Sequence, residues 1–433
     1  MGNYAEVWVG SFYLGRTKSQ ADPQLMKLFR ESDRKVVHCK KHDLPFRERL
    51  WFDHVKDDED ITAFYYSAPV RTIRDHLELR GYTLATAKSA FSLCLQAEAN
   101  CYPEWRKHFN LLTQASADQW LEAMRSIKQH APGDDRDCQV GKLVSLVLDV
   151  DWYGCPGPDL NVPLRLALEV CEDGDEVICD LTDLLLAEYE YVSPDENFGT
   201  YERGLTGGLE YPNGKTIILT EGHSDCWIIF ESLKVLYPHL TEYFAFMDFE
   251  GLRIPGGAGN LANIVKAFAG AGIVNKTIAV FDNDTAAEDA IRPLQDLRRP
   301  ANIRILRLPE LTFLHEYPTV GPTGTSITDV NGYAASIELY LGRDVLADGN
   351  GNLPPVQWTG YNTGLRKYQG EVLYKNAIHE RFRHRLQACA RNPELLKETD
   401  WAGLRAILSA IFVAFHDLDG ERIIDALKEH YDQ

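Results

Sequence analysis

Three acids stand where side chains can do chemistry. Glu221 follows the apolar run 217–219 in TIILTEGHSD, and Asp282 and Asp284 follow another in TIAVFDNDT. Alternate residues of an extended chain face the same way, so the two aspartates share a side while Asn283 turns aside. Carboxylates brought together repel one another unless a cation lies between them. Hard oxygen donors with no His or Cys among them favour Mg2+ or Mn2+ over zinc. Each acid also precedes an expected helix, where a carboxylate caps free N–H groups. Capping accounts for any one of them alone, and less well for three at matched strand ends.

The elements that must position these acids alternate strictly. Strands are expected over 216–220, 243–247, 277–281 and 303–308. Helices are expected over 224–237, after the glycine turn GGAG at 256–259, and over 285–297, with Ser224 and Asp225 as caps of the first. This β-α-β-α-β-α-β order implies a parallel sheet covered by helices, and near-continuous apolar strands agree with burial on both faces. In such sheets sites form beyond the carboxyl ends of the strands, where Glu221, Asp282 and Asp284 all fall. Residues 1–95 read as a β-rich α+β domain. AEVWVGSFYLG and DITAFYYSAPV carry strand-type residues, and DPQLMKLFRESD reads as helical. Residues 96–206 read as a mixed, largely helical region, with helices in DQWLEAMRSIKQH and GKLVSLVLDV and a strand turning into a helix or second strand in VICDLTDLLLAEYEYV. That region ends in the polar linker SPDENFGTYERGLTGG. The parallel sheet occupies 207–345, and 346–433 starts irregular, at Pro354-Pro355, and becomes helical.

Composition narrows the partners. A chain of 433 residues is expected to form two to four domains, and 45% hydrophobic with 25% charged residues fits a soluble globular protein. The sequence holds no apolar run of membrane-spanning length and no signal peptide, and its nine cysteines form no C-x-x-C pair. A cytoplasmic location with reduced thiols follows as the expectation. The formal charge of −19 opposes broad duplex binding, so a polyanionic partner would need divalent metal or a local basic strip. One strip spans 364–392: Arg366, Lys367, Lys375, Arg381, Arg383, Arg385 and Arg391, against Glu371 and Glu380. A solvated helix face is the plainer account of such a run.

A glutamate after the first strand and an Asp-x-Asp after the third resemble the Toprim domain shared by topoisomerases, bacterial primases, recombination-mediator proteins and OLD-type nucleases. The beginning of the chain, with MGNYAEVWVG, FRESD and YYSAPVRTIRDHLELRGYTL, resembles the N-terminal region of HEPN/Toprim-associated proteins, which are bacterial and linked with anti-phage defence. Downstream, ITDVNGYAASIELYLG and YQGEVLYKNAIHERF resemble elements of OLD-type Toprim nucleases. That resemblance implies Asp329 and Glu338 as second-metal ligands and Lys375 as a phosphate contact. A helix cap, a solvated helix residue and a surface lysine are the structural alternatives for the three.

Other patterns lead nowhere. GGLEYPNGKT has Leu209 where a P-loop needs glycine, and it precedes a strand where a P-loop follows one. Arg71 with His76, Arg49 with His54 and Arg125 with His130 fit the loose Arg-to-His spacing of HEPN ribonucleases, but at the frequency chance provides. GGAG could cradle a phosphate, though tight packing on the sheet explains it better. Among Toprim chemistries, strand passage needs a further domain with a nucleophilic tyrosine, and primases add a zinc module. The resemblance therefore implies a Mg2+- or Mn2+-dependent nuclease acting on DNA or RNA, with Glu221, Asp282 and Asp284 as ligands or Glu221 as general acid–base. The alternative is a non-catalytic module that binds nucleic acid or senses a partner in a defence complex. A homo-oligomer or a defence-system partner protein is compatible with either.

Overall fold

The computed structural model describes residues 3–10, 12–43, 56, 58–101, 116–129, 155–187, 214–247, 255–297 and 299–432. The chain forms two compact units, one of residues 1–210 with 416–433 and the other of 211–415.

The first unit is built on an antiparallel sheet. Its strands are β1 (Tyr4–Val9), β2 (Phe12–Lys18), β3 (Arg34–Lys40), β4 (Asp60–Pro69) and β5 (Glu176–Asp180), in the order β2-β1-β5-β4-β3. β4 is buried almost throughout, which its aromatic and β-branched residues suit. One face packs on α1 (Val70–Leu79), α2 (Leu84–Cys101), α3 (Ala117–Gln129) and α4 (Asn161–Leu168), around Phe64, Phe91 and Trp120. α2 runs across residue 95. The helix expected in DPQLMKLFRESD is reduced to Pro23–Met26 and a 3-10 turn at Glu31–Asp33. GKLVSLVLDV and the linker ending in Gly207-Gly208 lie outside the described residues, as does GGLEYPNGKT up to Asn213.

The second unit contains the parallel sheet. Its strands are β6 (Thr216–Thr220), β7 (Phe244–Phe246), β8 (Thr277–Phe281) and β10 (Ile303–Arg307), in the order β10-β8-β6-β7 and all parallel. The helices between them are α5 (His223–Leu236), α6 (Ala258–Ala271) and α7 (Thr285–Gln295). This is the fold class the sequence implies. β8 is buried at every position, as an apolar central strand must be. Its layer of Leu219, Ala279 and Phe281 packs on Leu261, Val265 and Leu294 from the helices.

Downstream of β10 the structure departs from an irregular start followed by helices. β9 (Asn283–Asp284) pairs antiparallel with β13 (Ala334–Ala335). A second sheet of β11 (Tyr317–Gly321), β12 (Gly324–Thr328), β14 (Val356–Asn362) and β15 (Lys367–Val372) has the order β12-β11-β14-β15. Helices α8 (Lys375–Arg391) and α9 (Ala402–Val413) complete the unit. Among the described residues no helix is long and apolar enough to cross a membrane.

Candidate functional site

Glu221 and Asp282 leave neighbouring strands at the same edge. β6 and β8 are in parallel register, Thr220 beside Val280, so the next residues of both chains emerge together. Glu221 Oε1 accepts a hydrogen bond from the Asp282 backbone N–H at 2.9 Å. Asn283 is 3% exposed, so the alternation of the Asp-x-Asp segment holds. Asp284 also caps α7, its Oδ1 accepting from the Ala287 N–H at 2.7 Å. The capping alternative is therefore real for Asp284. It does not hold for Glu221, because the N-cap residue of α5 is Gly222.

The glycine turn is fitted to Glu221. A Cβ on Gly256 would come within 2.9 Å of the Glu221 carbonyl oxygen, and Gly257, at φ +100°, donates to that oxygen at 2.6 Å. Close packing against the strand end explains GGAG. The same turn brings the Ala258 N–H to the Glu221 carboxylate.

The short β9–β13 ladder delivers the next acid. Ala334 pairs with Asp284 and Ala335 with Asn283, and the chain then passes directly through Ser336 and Ile337 to Glu338. The Ile337 N–H donates to Asp282 Oδ1 at 3.1 Å. Glu338 is 3% exposed and accepts from Ser336 Oγ at 2.6 Å and from His379 Nε2 at 3.1 Å. Lys375 Nζ lies 3.8 Å from its Oε2. Lys375 and His379 are one turn apart on α8, so a single helix face meets Glu338 from above.

Electrostatics binds these residues into one cluster. Burial, then the charges of Asp284 and Asp225 against hydrogen bonds from the Asp282 and Ala258 N–H groups, pushes Glu221 up to about 7. Burial and the charge of Glu338 push Asp225 up to about 6. Burial and then Asp225, Glu221, Asp284 and Glu338 hold Asp282 well above the carboxylate range. Asp284 is raised by burial, against its backbone bonds and the nearby Arg307 and Lys375. Glu338 runs the other way. Burial alone would raise it, but His379, Lys375 and Ser336 outweigh that and hold it at about 2. The site therefore contains one carboxylate held ionised by its partners and four whose ionisation burial opposes.

Sequence reading missed Asp225, treating it only as a cap. It stands four residues after Glu221, one turn into α5, and the i,i+4 spacing across the strand–helix junction was the available signal. Asp329 is placed elsewhere. Its carboxylate binds His315 Nδ1 at 2.9 Å and the Asn331 N–H at 2.9 Å in a half-exposed turn. An Asp two residues before Asn closes such a turn locally, which removes Asp329 from the cluster.

The basic strip also divides. Arg381 donates to the carbonyls of Val345 and Leu346, and Arg385 to Asp344 and the Asp400 carbonyl while stacking 3.9 Å from the Trp401 ring centroid. Both are structural. Lys367 joins Arg307 on Glu288, at 2.6 and 3.4 Å, and Arg307 also donates to the Asp284 carbonyl at 2.8 Å. Lys375 and Arg307 thus act on Asp284, while Lys367 shares Glu288 with Arg307.

A divalent ion fits the donor set. All candidate donors are oxygens, and burial with the charge of neighbouring carboxylates opposes the ionisation of Glu221, Asp225 and Asp282, which a cation would relieve. The side chains are not drawn up around a common point: among the described residues, no three of His, Cys, Asp or Glu take a metal-ligating arrangement. The carboxylates of Glu221, Asp282 and Asp284 spend oxygens on backbone N–H groups instead.

Of the HEPN-type pairs, Arg71 is exposed and His76 is buried on α1, while Arg49, His54 and His130 lie outside the described residues. No curated protein and no solved structure matches the chain. Residues 1–201 match the family described as HEPN/Toprim N-terminal domain 1, past the boundary expected near residue 95. That match identifies the first part of the chain, residues 1–201, as similar to a HEPN/Toprim N-terminal domain.

Proposed function

We propose that residues 211–415 form a Mg2+- or Mn2+-dependent nuclease that cleaves phosphodiester bonds of DNA or RNA, and that the protein works in the bacterial cytoplasm in anti-phage defence. The observation that supports this reading is that Glu221 and Asp282 leave adjacent parallel strands at one edge, joined by a hydrogen bond of 2.9 Å from the Asp282 N–H to the Glu221 carboxylate, with Asp284 two residues on. Glu221, Asp225, Asp282 and Asp284 would hold the cation. Bound there, Mg2+ or Mn2+ would supply Lewis acidity, offsetting phosphate charge and making water nucleophilic at neutral pH. Lys375, whose ammonium is aimed by Glu338, would contact a phosphate oxygen. Glu338 stays ionised and fixes Lys375 and His379, so its first role is positioning. The alternative role for Glu221 is general acid–base, accepting or returning a proton instead of holding the cation. The defence setting rests on the likeness to HEPN/Toprim-associated proteins, and nucleic acid would be the partner, with homo-oligomers or a second defence protein compatible.

The test is incubation of purified protein with plasmid, single-stranded DNA and tRNA in Mn2+. Wild type is expected to cut at least one, and Asp282→Asn/Asp284→Asn none. Asparagine is chosen because it still caps α7. Full activity in the double variant would end the proposal. The second reading, a non-catalytic binding or sensor module, is favoured by the charge of −19 and by carboxylates not closed into a ligating geometry. Absence of cutting together with no metal-dependent rise in melting temperature would select it.

A further inference from the structure

The β14–β15 hairpin carries aromatic rings that the carboxylate chemistry does not use. Tyr361 is 50% exposed, Tyr368 58% and Tyr374, just beyond the hairpin, 69%. Tyr361 and Tyr368 are direct cross-strand partners, with ring centroids 5.1 Å apart. Tyr368 also lies 6.0 Å from Trp358, which meets Tyr333 at 6.5 Å. Aliphatic side chains are missing from the exposed surface of the two strands: Val356 and Val372 are buried, and the rings stand among Gln357, Thr359, Gly360 and Gln369.

This aromatic row is fastened to the carboxylates. Thr285, the residue after Asp284, donates through Oγ1 to the Tyr368 carbonyl at 2.7 Å. Lys367 Nζ lies 5.2 Å from the Tyr333 ring centroid and neutralises Glu288 together with Arg307. From Tyr368 the chain continues to Tyr374, held at φ +63° where a tyrosine rarely sits, and then to Lys375 beside Glu338. Arg366 and Lys367 precede Tyr368 in the chain and Lys375 follows Tyr374, so rings and cations alternate along the segment that ends beside Glu338.

We propose that Tyr361, Tyr368 and Tyr374 form a stacking platform for the unpaired bases of a single-stranded nucleic acid, whose backbone the adjoining cations lead to the carboxylates. A ring face is open to a base only when that base is not in a duplex stack, and stacking tolerates any sequence. Duplex would need a broad cationic surface, which a chain of −19 opposes. The fate of the strand at the cluster rests on the nuclease reading; its binding does not.

Fluorescence anisotropy in EDTA, where metal-dependent cutting is silent, separates the two. The probes are fluorescein-labelled single-stranded DNA, RNA of the same sequence, and the corresponding duplexes. At least one single strand is expected to bind more tightly than its duplex. Tyr361→Ala and Tyr368→Ala are expected to weaken that binding at least about fivefold each, the low end for one lost base–aromatic stack. Tyr368→Phe should retain it. Tyr374→Gly removes a ring at a left-handed position glycine prefers, so it keeps the test valid if a strand variant misfolds. Unchanged affinity in the ring variants, equal affinity for duplex, or no binding by wild type would each overturn the platform. Binding that survives in Asp282→Asn/Asp284→Asn while wild type cuts nothing would instead count against the nuclease.

Discussion

Replacing Glu221 by glutamine should stabilise the metal-free protein. Gln keeps the oxygen that accepts the Asp282 N–H and removes a charge that burial, Asp284 and Asp225 all oppose. The carboxyl rises from 4.5 unfolded to about 7 folded. A raised carboxylate pKa means that the folded state favours the protonated form. Its stability is intact below 4.5, falls as pH climbs through that window, and is lost above 7. The shift corresponds to about 3 kcal/mol at pH 8, an upper figure because neighbouring carboxylates share the repulsion. For a unit of this size that is a melting-temperature rise of about 5–10 °C. The assay is thermal unfolding in EDTA at pH 8 and pH 4.5, repeated at pH 8 with Mg2+. Glu221→Gln should melt above wild type at pH 8 without metal and equal it at pH 4.5. Saturating Mg2+ at about 100 Kd should return about 2.7 kcal/mol to wild type and less to the variant. A Gln variant that melts lower in EDTA at pH 8 would refute the crowded-carboxylate argument.

Other outcomes follow from single contacts. Asp180, 4% exposed in β5, is raised to about 7 by burial against its bonds from Thr182, so it costs stability progressively from pH 4 to 7. Asp180→Asn should leave stability to thermal unfolding unchanged at pH 4 and increase it at pH 8, by up to about 4 kcal/mol. Gly256→Ala would force a methyl against the Glu221 carbonyl, 2.9 Å away, costing about 1–3 kcal/mol and blunting the Mg2+-dependent rise in melting temperature. Arg385→Ala strips the Trp401 stack and leaves the Asp400 carbonyl unpaired, and denaturant unfolding should register a loss of about 2–4 kcal/mol.

The parallel sheet was legible because its strands are buried on both faces and so read as unbroken apolar runs, 217–219 and 278–281 above all. Asp282 and Asp284 were legible for a similarly local reason, the two-residue period of extended chain. What sequence pattern could not supply was the second layer. β14 and β15 are short, polar and half-exposed, and a register shift between Trp358 and Gly360 breaks the alternation that would have marked β14 as a strand. The basic strip misled because charge order does not say which way a side chain turns. Ile378, Phe382, Arg385 and Cys389 share the buried stripe of α8, and that spacing, rather than the density of arginines, placed Arg385 inside. Asp225 was hidden by its own plausibility as a cap.

The tiny ladder of Asn283–Asp284 with Ala334–Ala335 has a consequence for dissection of the chain. It makes the acids after β8 depend on a segment some fifty residues later, and through Glu338 on the first turn of α8. A fragment ending at residue 345 would keep all four parallel strands yet lack Lys375, His379 and the strand that anchors Thr285. Its α/β core would still be recognisable, but its acids would have lost their counterweights. The smallest portable piece of this protein is therefore the whole second unit, and transplanting the sheet alone would carry over a shape without its working edge.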